Sequence, residues 1–504
     1  MAAIDWIIVF VYASATIAMG WWLGRKSGST GEYFIGSGRM NPILIGVSLF
    51  ATLLSTITYL AIPGEIAGKG PVYLINFAAY PLVFLIVAFV ILPVYMRHRV
   101  TSAYELLEHR LGLSIRLLGA TLFLLLRLVW MALLIFMTSK AIAYMIGADD
   151  SAIPYIVLVT GIFSITYTSL GGLRAVVVTD LMQTLLLYGG AVLVIATVTW
   201  QMGGFGWFPT EWQGELWDEQ PLFSLDPSTR ITVIGTLLSV TLWMVCTSAG
   251  DQVTVQRFMS TADASKARRA VAMQLSVGLV VGLTLGLVGL ALLGYFQANP
   301  QALPVDGSLS GQADQLFPRY IANHLPPVVS GFVVAGLFAA AMSSIDSGVN
   351  SITAVVTTDF LKRFGKGPKT DRGSLRFARI LAFAIGAVVV LLSTTVGSVP
   401  GNFMAVTQKT VNLLTVPIAL LFFFALYVPF ANAPGVWIAT VCSVAAASLV
   451  SFSGLIFGMH PVTGNDPVSF QWIGPVALVT GIGIGLPACK LAALCSCCRK
   501  RNPS

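Results

Sequence analysis

The sequence predicts an all-α membrane protein with about 13 transmembrane helices, and three observations carry that prediction. Of 504 residues, 56% are hydrophobic and only 10% are charged, whereas a soluble chain would hold about 25% charged residues. The mean hydropathy is +0.84, and apolar runs of about twenty residues, long enough to cross a bilayer as helices, recur from end to end. The basic residues segregate: 23 of the 29 Lys and Arg fall in one alternate set of loops and the C-terminal tail. Basic loops stay on the cytoplasmic side. The N-terminus is therefore expected outside and the C-terminus in the cytoplasm, in the plasma (cell inner) membrane, with lipid around the bundle.

Spans are expected near residues 4–24, 42–66, 72–96, 117–146, 152–170, 176–202, 230–253, 270–297, 325–358, 376–399, 402–427, 434–457 and 471–494. The first has no basic segment before it and no small-residue cleavage site after it, so it reads as a retained helix and not a signal peptide. The second carries Ser55, Thr56 and Thr58 at mid-membrane, ahead of Pro63 and Gly64. Such a run can unwind a helix and free backbone carbonyls for an ion or a polar solute. Arg127 and Lys140 in the fourth span, and Lys409 in the eleventh, lie inside apolar runs; snorkelling explains Lys140 best and Lys409 least. Segments 203–229 and 298–324 read as external loops. The seventh span holds Thr247, Ser248, Ala249, Gly250 and Asp251, a second candidate break. The two breaks lie five spans apart, and an odd offset reverses direction across the membrane. Inverted-repeat transporters are built this way, with solute between two discontinuous helices.

The ninth span ends in GLFAAAMSSIDSGVNS, Gly336 to Ser351. Ser343, Asp346, Ser347 and Asn350 recur at i, i+3, i+4 and i+7, on one helix face, and Ala340 joins them one turn earlier. The small residues admit a second backbone. The hydroxyls and the carboxylate are hard oxygen ligands, suited to a small hard cation, and a carboxylate at membrane depth is a functional hypothesis by default. The stripe is expected to hold sodium; the competing reading is a packing face whose serines bond back to their own backbone.

Other classes are disfavoured. The net charge of +8 resides in short loops, so no nucleic acid partner is expected. There is no nucleotide-binding loop. His98, His109, His324 and His460 offer no nucleophile–base or metal-ligand spacing, so no enzyme is expected. Cys489, Cys495, Cys497 and Cys498 crowd the basic C-terminus and read as reduced cytoplasmic thiols.

Four segments then coincide in order. YTSLGGLRAVVVTDLMQ (Tyr167 to Gln183), TSAGDQVTVQRF (Thr247 to Phe258), AAAMSSIDSGVNS, and RVTSAYELLEHRLG (Arg99 to Gly112) resemble motifs of the sodium/solute symporter family. The resemblance implies a LeuT-like five-plus-five inverted repeat with one preceding and two following helices. On that plan residues 1–41 are an accessory helix and cytoplasmic loop, 42–202 the first repeat, 229–428 the second, and 429–504 two C-terminal helices and a tail. It implies a principal sodium site from the carbonyls of Ala51, Leu54 and Ala340 and the hydroxyls of Ser343 and Ser344. It also implies a possible second sodium at Asp180, Asp346 and Ser347. An aspartate at 346, where the two-sodium members commonly have serine, leaves proton coupling open. Solute contacts are implied at Ser55, Thr58, Phe77, Trp130, Asp251 and Lys409. Family sugar carriers tend to be acidic where Phe77 stands, and a sialic acid carrier would want arginine near Trp130, where this chain has Arg127 one turn away; these departures put both substrates in doubt.

The expected function is secondary-active sodium-coupled import of a small polar organic solute, leaning to an organic anion or carboxylate through Lys409. Proton-coupled transport and solute sensing without transport are the alternatives.

Overall fold

The structure, a computed structural model, describes residues 1–24, 38–98, 100–214, 217, 221–303, 309, 312–368, 370–395, 403–459 and 466–501. Every regular element among them is helical. The loop with Arg25 and Lys26, expected in the cytoplasm, lies outside the described residues, as do the side chains of residues 167–172 and of Cys495, Cys497 and Cys498.

Helix α1 (Ala3–Gly24) precedes the bent pair α2 (Pro42–Leu53) and α3 (Thr56–Lys69), which meet at 68°. Next come α4 (Pro71–His98), the short α5 (Glu105–Leu111), α6 (Leu113–Ile146) and α7 (Ile153–Gln201). The second half runs through α8 (Val233–Gly250), α9 (Gln252–Met259), α10 (Ala264–Ala298), α11 (Ala313–Asn323) and α12 (Val329–Val355). It closes with α13 (Asp371–Ser393), α14 (Phe403–Tyr427), α15 (Ala433–Ser451) and α16 (Ile473–Arg501). Among the described residues, 11 helices are long and apolar enough to span a bilayer, and the α2–α3 pair is one more. The expected fifth and sixth spans run on as the single 49-residue helix α7, whose apolar stretches are the one continuing from Asp150 to Thr166 and the one from Leu173 to Gln201. Gly171 and Gly172 do not interrupt it: glycine weakens a helix without removing a hydrogen bond.

Small residues decide what sits at the centre. In α12, 83% of the span is buried, against 22% for α1 and α16. A Cβ added at Gly336 would lie 3.2 Å from the Leu187 Cα, and one at Gly190 would lie 3.3 Å from the Val333 Cα, so α7 and α12 touch backbone to backbone. On the other flank, Gly46 approaches the Ala270 carbonyl and Gly289 the Pro63 carbonyl, drawing α2 and α3 against α10. The break is thereby pressed between α10 and α12.

Candidate functional site

The first break forms where the ladder of α2 stops. The Leu54 amide donates to the Phe50 carbonyl, and Leu54 and Ser55 are then both extended (φ −81°, ψ 110°; φ −95°, ψ 163°). The last carbonyls of any helix lack partners within it, which frees those of Ala51 to Leu54. Ser55 restarts the chain as the N-cap of α3, its Oγ accepting the Thr58 amide at 3.1 Å. The break therefore falls well before Pro63, which stays inside α3. Gly64 and Gly68 serve a contact: added Cβ atoms would lie 2.2 Å from the Ala313 carbonyl oxygen and 2.7 Å from that of Leu309, so the segment leading into α11 lies directly on α3.

α12 faces the freed carbonyls. The Ser344 hydroxyl stands 3.3 Å from the Thr52 carbonyl oxygen and 3.5 Å from that of Leu54. Ala51, Leu54, Ala340, Ser343 and Ser344 are all buried. The oxygens gathered here are hard and neutral, a donor set that fits a small hard cation. Among the described residues no cluster of three His, Cys, Asp or Glu could hold a transition metal.

One helical turn toward the basic-loop end, the same stripe meets charge. The Ser343 hydroxyl donates to Asp180 at 2.5 Å, and the other Asp180 oxygen accepts from Ser48. The guanidinium of Arg257 completes the group: it donates to Ser48 at 2.8 Å and Ser347 at 2.6 Å, and lies 3.4 Å from Asp180. Thr52 joins Ser347 at 2.9 Å. Asp180, Ser343 and Ser347 thus come together around an internal cation. Asp346 is buried on α12, and both it and Asp180 lie within electrostatic reach of the Tyr12 hydroxyl of α1.

The second break falls at Asp251, extended at φ −90°, ψ 119°, between α8 and α9. Its freed carbonyls are already used: Tyr95 donates to Ala249, and Tyr104 donates to Gly250 at 3.0 Å. Asp251 caps the Val253 amide at 2.9 Å and pairs with Arg127. Around it, contacts at the basic-loop end tie the helices together: Arg116–Asp359 at 2.7 Å, Ser102–Asp359 at 2.6 Å and Gln256–Ser351 at 2.6 Å.

Between the breaks lies a cavity of about 130 Å³. Phe50, Tyr73, Phe77, Tyr80, Trp130 and Trp243 form aromatic walls, and Thr58, Asn76, Gln274, Thr407 and Gln408 supply uncharged polar groups. Of the predicted solute contacts, Thr58, Phe77 and Trp130 line it. Ser55 is fully buried as a cap, Asp251 sits below with Arg127, and Lys409 departs furthest. Gln408 takes the cavity face of α14, and its neighbour Lys409 turns to a lateral crevice where it pairs with Asp466 at 2.6 Å. Sequence reading missed α10, whose Gly278 and Gly282 make room for Tyr80 and Phe77; glycines spaced by four were the available signal. It also counted Arg257 and Arg116 as loop charges, whereas both are buried.

Residues 33–442 match the family model described as the sodium:solute symporter family. A sodium/sialic acid symporter from Aliivibrio fischeri is 29% identical over 92% of this chain and 90% of its own length. The rabbit (Oryctolagus cuniculus) sodium-dependent multivitamin transporter is 27% identical over 96% and 72%, and a human sodium-coupled monocarboxylate transporter 26% over 85% and 70%. Among solved structures, a substrate-bound, outward-open sodium-coupled sialic acid symporter superposes with a TM-score of 0.84 at 24% identity, covering 97% of this chain and 98% of that one. A transporter of the nucleobase-cation-symport-1 family, in a closed conformation, gives 0.56 at 11% identity over 95% and 96%. The chain belongs to the sodium:solute symporter family, with the LeuT-like fold; it is a sodium-coupled transporter and not an enzyme.

Proposed function

We propose that this sodium:solute symporter imports a small organic anion by alternating access, with its N-terminus outside and its C-terminus in the cytoplasm of the cell it serves. Sodium enters the cage of Ala51, Leu54, Ala340, Ser343 and Ser344, and solute enters the aromatic cavity. The observation that carries this reading is the Ser344 hydroxyl set against the freed carbonyls of Thr52 and Leu54, because Leu54 also lines the cavity. Ion and solute then share one break: a bound cation joins α2 to α12 and fixes the wall against which solute packs. Residues 42–202 and 229–428 act as the two inverted repeats that rock around it.

Charge favours an anion. The cage residues are neutral, so a cation bound there is uncompensated, and a carboxylate in the adjoining cavity supplies the missing charge. The names of the sialic acid and monocarboxylate relatives denote acids. A tenfold sodium gradient is worth about 1.4 kcal/mol, and 100 mV adds about 2.3 kcal/mol per net charge moved. One sodium with one monovalent anion moves no net charge and would use the first term alone.

Proton coupling through Asp180 and Asp346 has less support, since Arg257 already balances Asp180. A second sodium at Asp180 and Ser347 would require Arg257 to withdraw. The test is uptake into proteoliposomes under an imposed sodium gradient, against a potassium gradient and a proton gradient. Uptake that follows the pH gradient in sodium-free buffer would replace this reading with the proton-coupled one.

A further inference from the structure

The lateral crevice that takes Lys409 lies apart from the solute cavity, between α6, α14 and the end of α15, with a volume of about 170 Å³. We propose that it binds an uncharged, single-chain amphiphile from the surrounding bilayer, an aliphatic tail with a hydroxyl head. Such a site stands whichever solute is carried. The walls of the crevice are apolar. Leu125, Val129 and Leu455 are each about half exposed or more, so the crevice opens on the lipid-facing surface. Leu126 also lines a small pocket shared with Trp130 and Trp243 of the solute cavity, so the crevice backs onto the transport core.

The polar end of the crevice is a closed ion pair. Lys409 lies about 9 Å along α14 from Phe403, at 1.5 Å per residue, and meets Asp466 at 2.6 Å with little exposure of either. Gly454 makes room for the pair, since a Cβ there would collide with Asp466 Oδ1. A charged ligand would have to part the pair and strand one buried partner, which is strongly unfavourable. A neutral head avoids that cost. An ammonium has three donors, and Asp466 Oδ2 takes one.

The crevice also holds an unmet hydroxyl. Ser451 lines it and is 1% exposed, and its Oγ is buried with no hydrogen-bond partner among the described residues. A serine within a helix can bond back to the carbonyl four residues earlier. Ser448 does so at 2.8 Å; Ser451 does not. Leaving such a group unsatisfied in a dry site is costly. A ligand hydroxyl offers one donor and two acceptor positions, enough for Ser451 and a second N–H of Lys409. Its tail would run out over Leu125, Val129 and Leu455.

Photolabelling of the full chain in phosphatidylcholine nanodiscs tests this. The probes are a long-chain primary alcohol, the chain-matched carboxylic acid and the chain-matched quaternary ammonium, each with a diazirine on its tail. Crosslinks are mapped by mass spectrometry and compared with those on α1, where Ile7 and Phe10 are exposed. The alcohol is expected to label segments 125–129, 410–414 and 452–455 above the α1 level, and excess unlabelled alcohol to suppress that labelling. Ser451→Ala removes one hydrogen bond between neutral groups, so the labelling should fall about 2- to 10-fold. Leu455→Trp, at a position 67% exposed, should fill the crevice and abolish the excess. Both variants are expected to keep the wild-type melting point, which separates loss of the site from loss of the fold. Alcohol labelling at the α1 level in the wild type, or labelling that Ser451→Ala leaves unchanged, would overturn the proposal. So would stronger labelling of these segments by the acid or the ammonium, because the ion pair would then open to a charged head.

Discussion

Ser344→Ala isolates one oxygen of the proposed sodium cage. The hydroxyl is 2% exposed and stands 3.3 and 3.5 Å from two carbonyl oxygens. Contacts that long are weak hydrogen bonds, so their loss should cost the ion-free protein no more than about 1 kcal/mol. A hydrogen-bonding group facing a charge is worth about 1.5–3 kcal/mol, and loss of a direct ligand to sodium should cost at least that much. Each 1.4 kcal/mol is tenfold, so the half-saturating sodium concentration should rise about 10- to 150-fold. The assay is initial uptake into proteoliposomes at graded external sodium, paired with thermal melting in potassium chloride as a control for folding. Unchanged sodium dependence in a well-folded variant would refute the assignment of Ser344. A large melting loss in potassium would show instead that the hydroxyl acts in packing.

Other perturbations probe the surrounding structure. Arg257→Gln strands a buried carboxylate at Asp180 and should cost about 3–5 kcal/mol; adding Asp180→Asn should recover much of it, which a double-mutant cycle on melting points measures. Gly64→Ala would set a Cβ 2.2 Å from the Ala313 carbonyl oxygen; the overpacking should cost about 1–3 kcal/mol, visible as a lower melting point and faster proteolysis around α11. Burial pushes the Asp314 carboxyl, which accepts the Phe403 amide, up to about 6. Its folded state therefore holds a proton that the unfolded chain releases near pH 4, and its contribution to stability is lost as pH rises through about 6. Acidifying from pH 7 to 5 should raise the melting point by this route, and Asp314→Asn should flatten that part of the profile.

Local chemistry made much of this legible in the sequence. Apolar run length located the spans, and the polar stripe on α12 was readable because helical periodicity puts Ser343 and Ser347 on one face. The Ser/Thr run and Thr247 to Asp251 contain the residues at which the chain does break. Pro63 was weighted too heavily, because an extended Leu54 ends α2 and Ser55 caps the start of α3 without proline. What local pattern could not reveal was pairing across distance. Arg127 meets Asp251 from 124 residues away, and Arg116 meets Asp359 from 243. Nothing in either neighbourhood names the partner. Lys409 illustrates the same limit: a one-residue rotation on α14 separates the solute cavity from the lateral crevice, where Asp466 pairs with the lysine.

The central claim is that the break at Leu54 and the serines of α12 hold the coupling ion. An experimental structure of the purified protein in sodium, set against one in potassium, tests it most directly. Density ligated by the carbonyls of Ala51, Leu54 and Ala340 and the hydroxyls of Ser343 and Ser344 is expected in sodium and is expected to vanish in potassium. Identical density in both salts, with Ser344 bonded to the Thr52 carbonyl and the ion bound elsewhere, would contradict it.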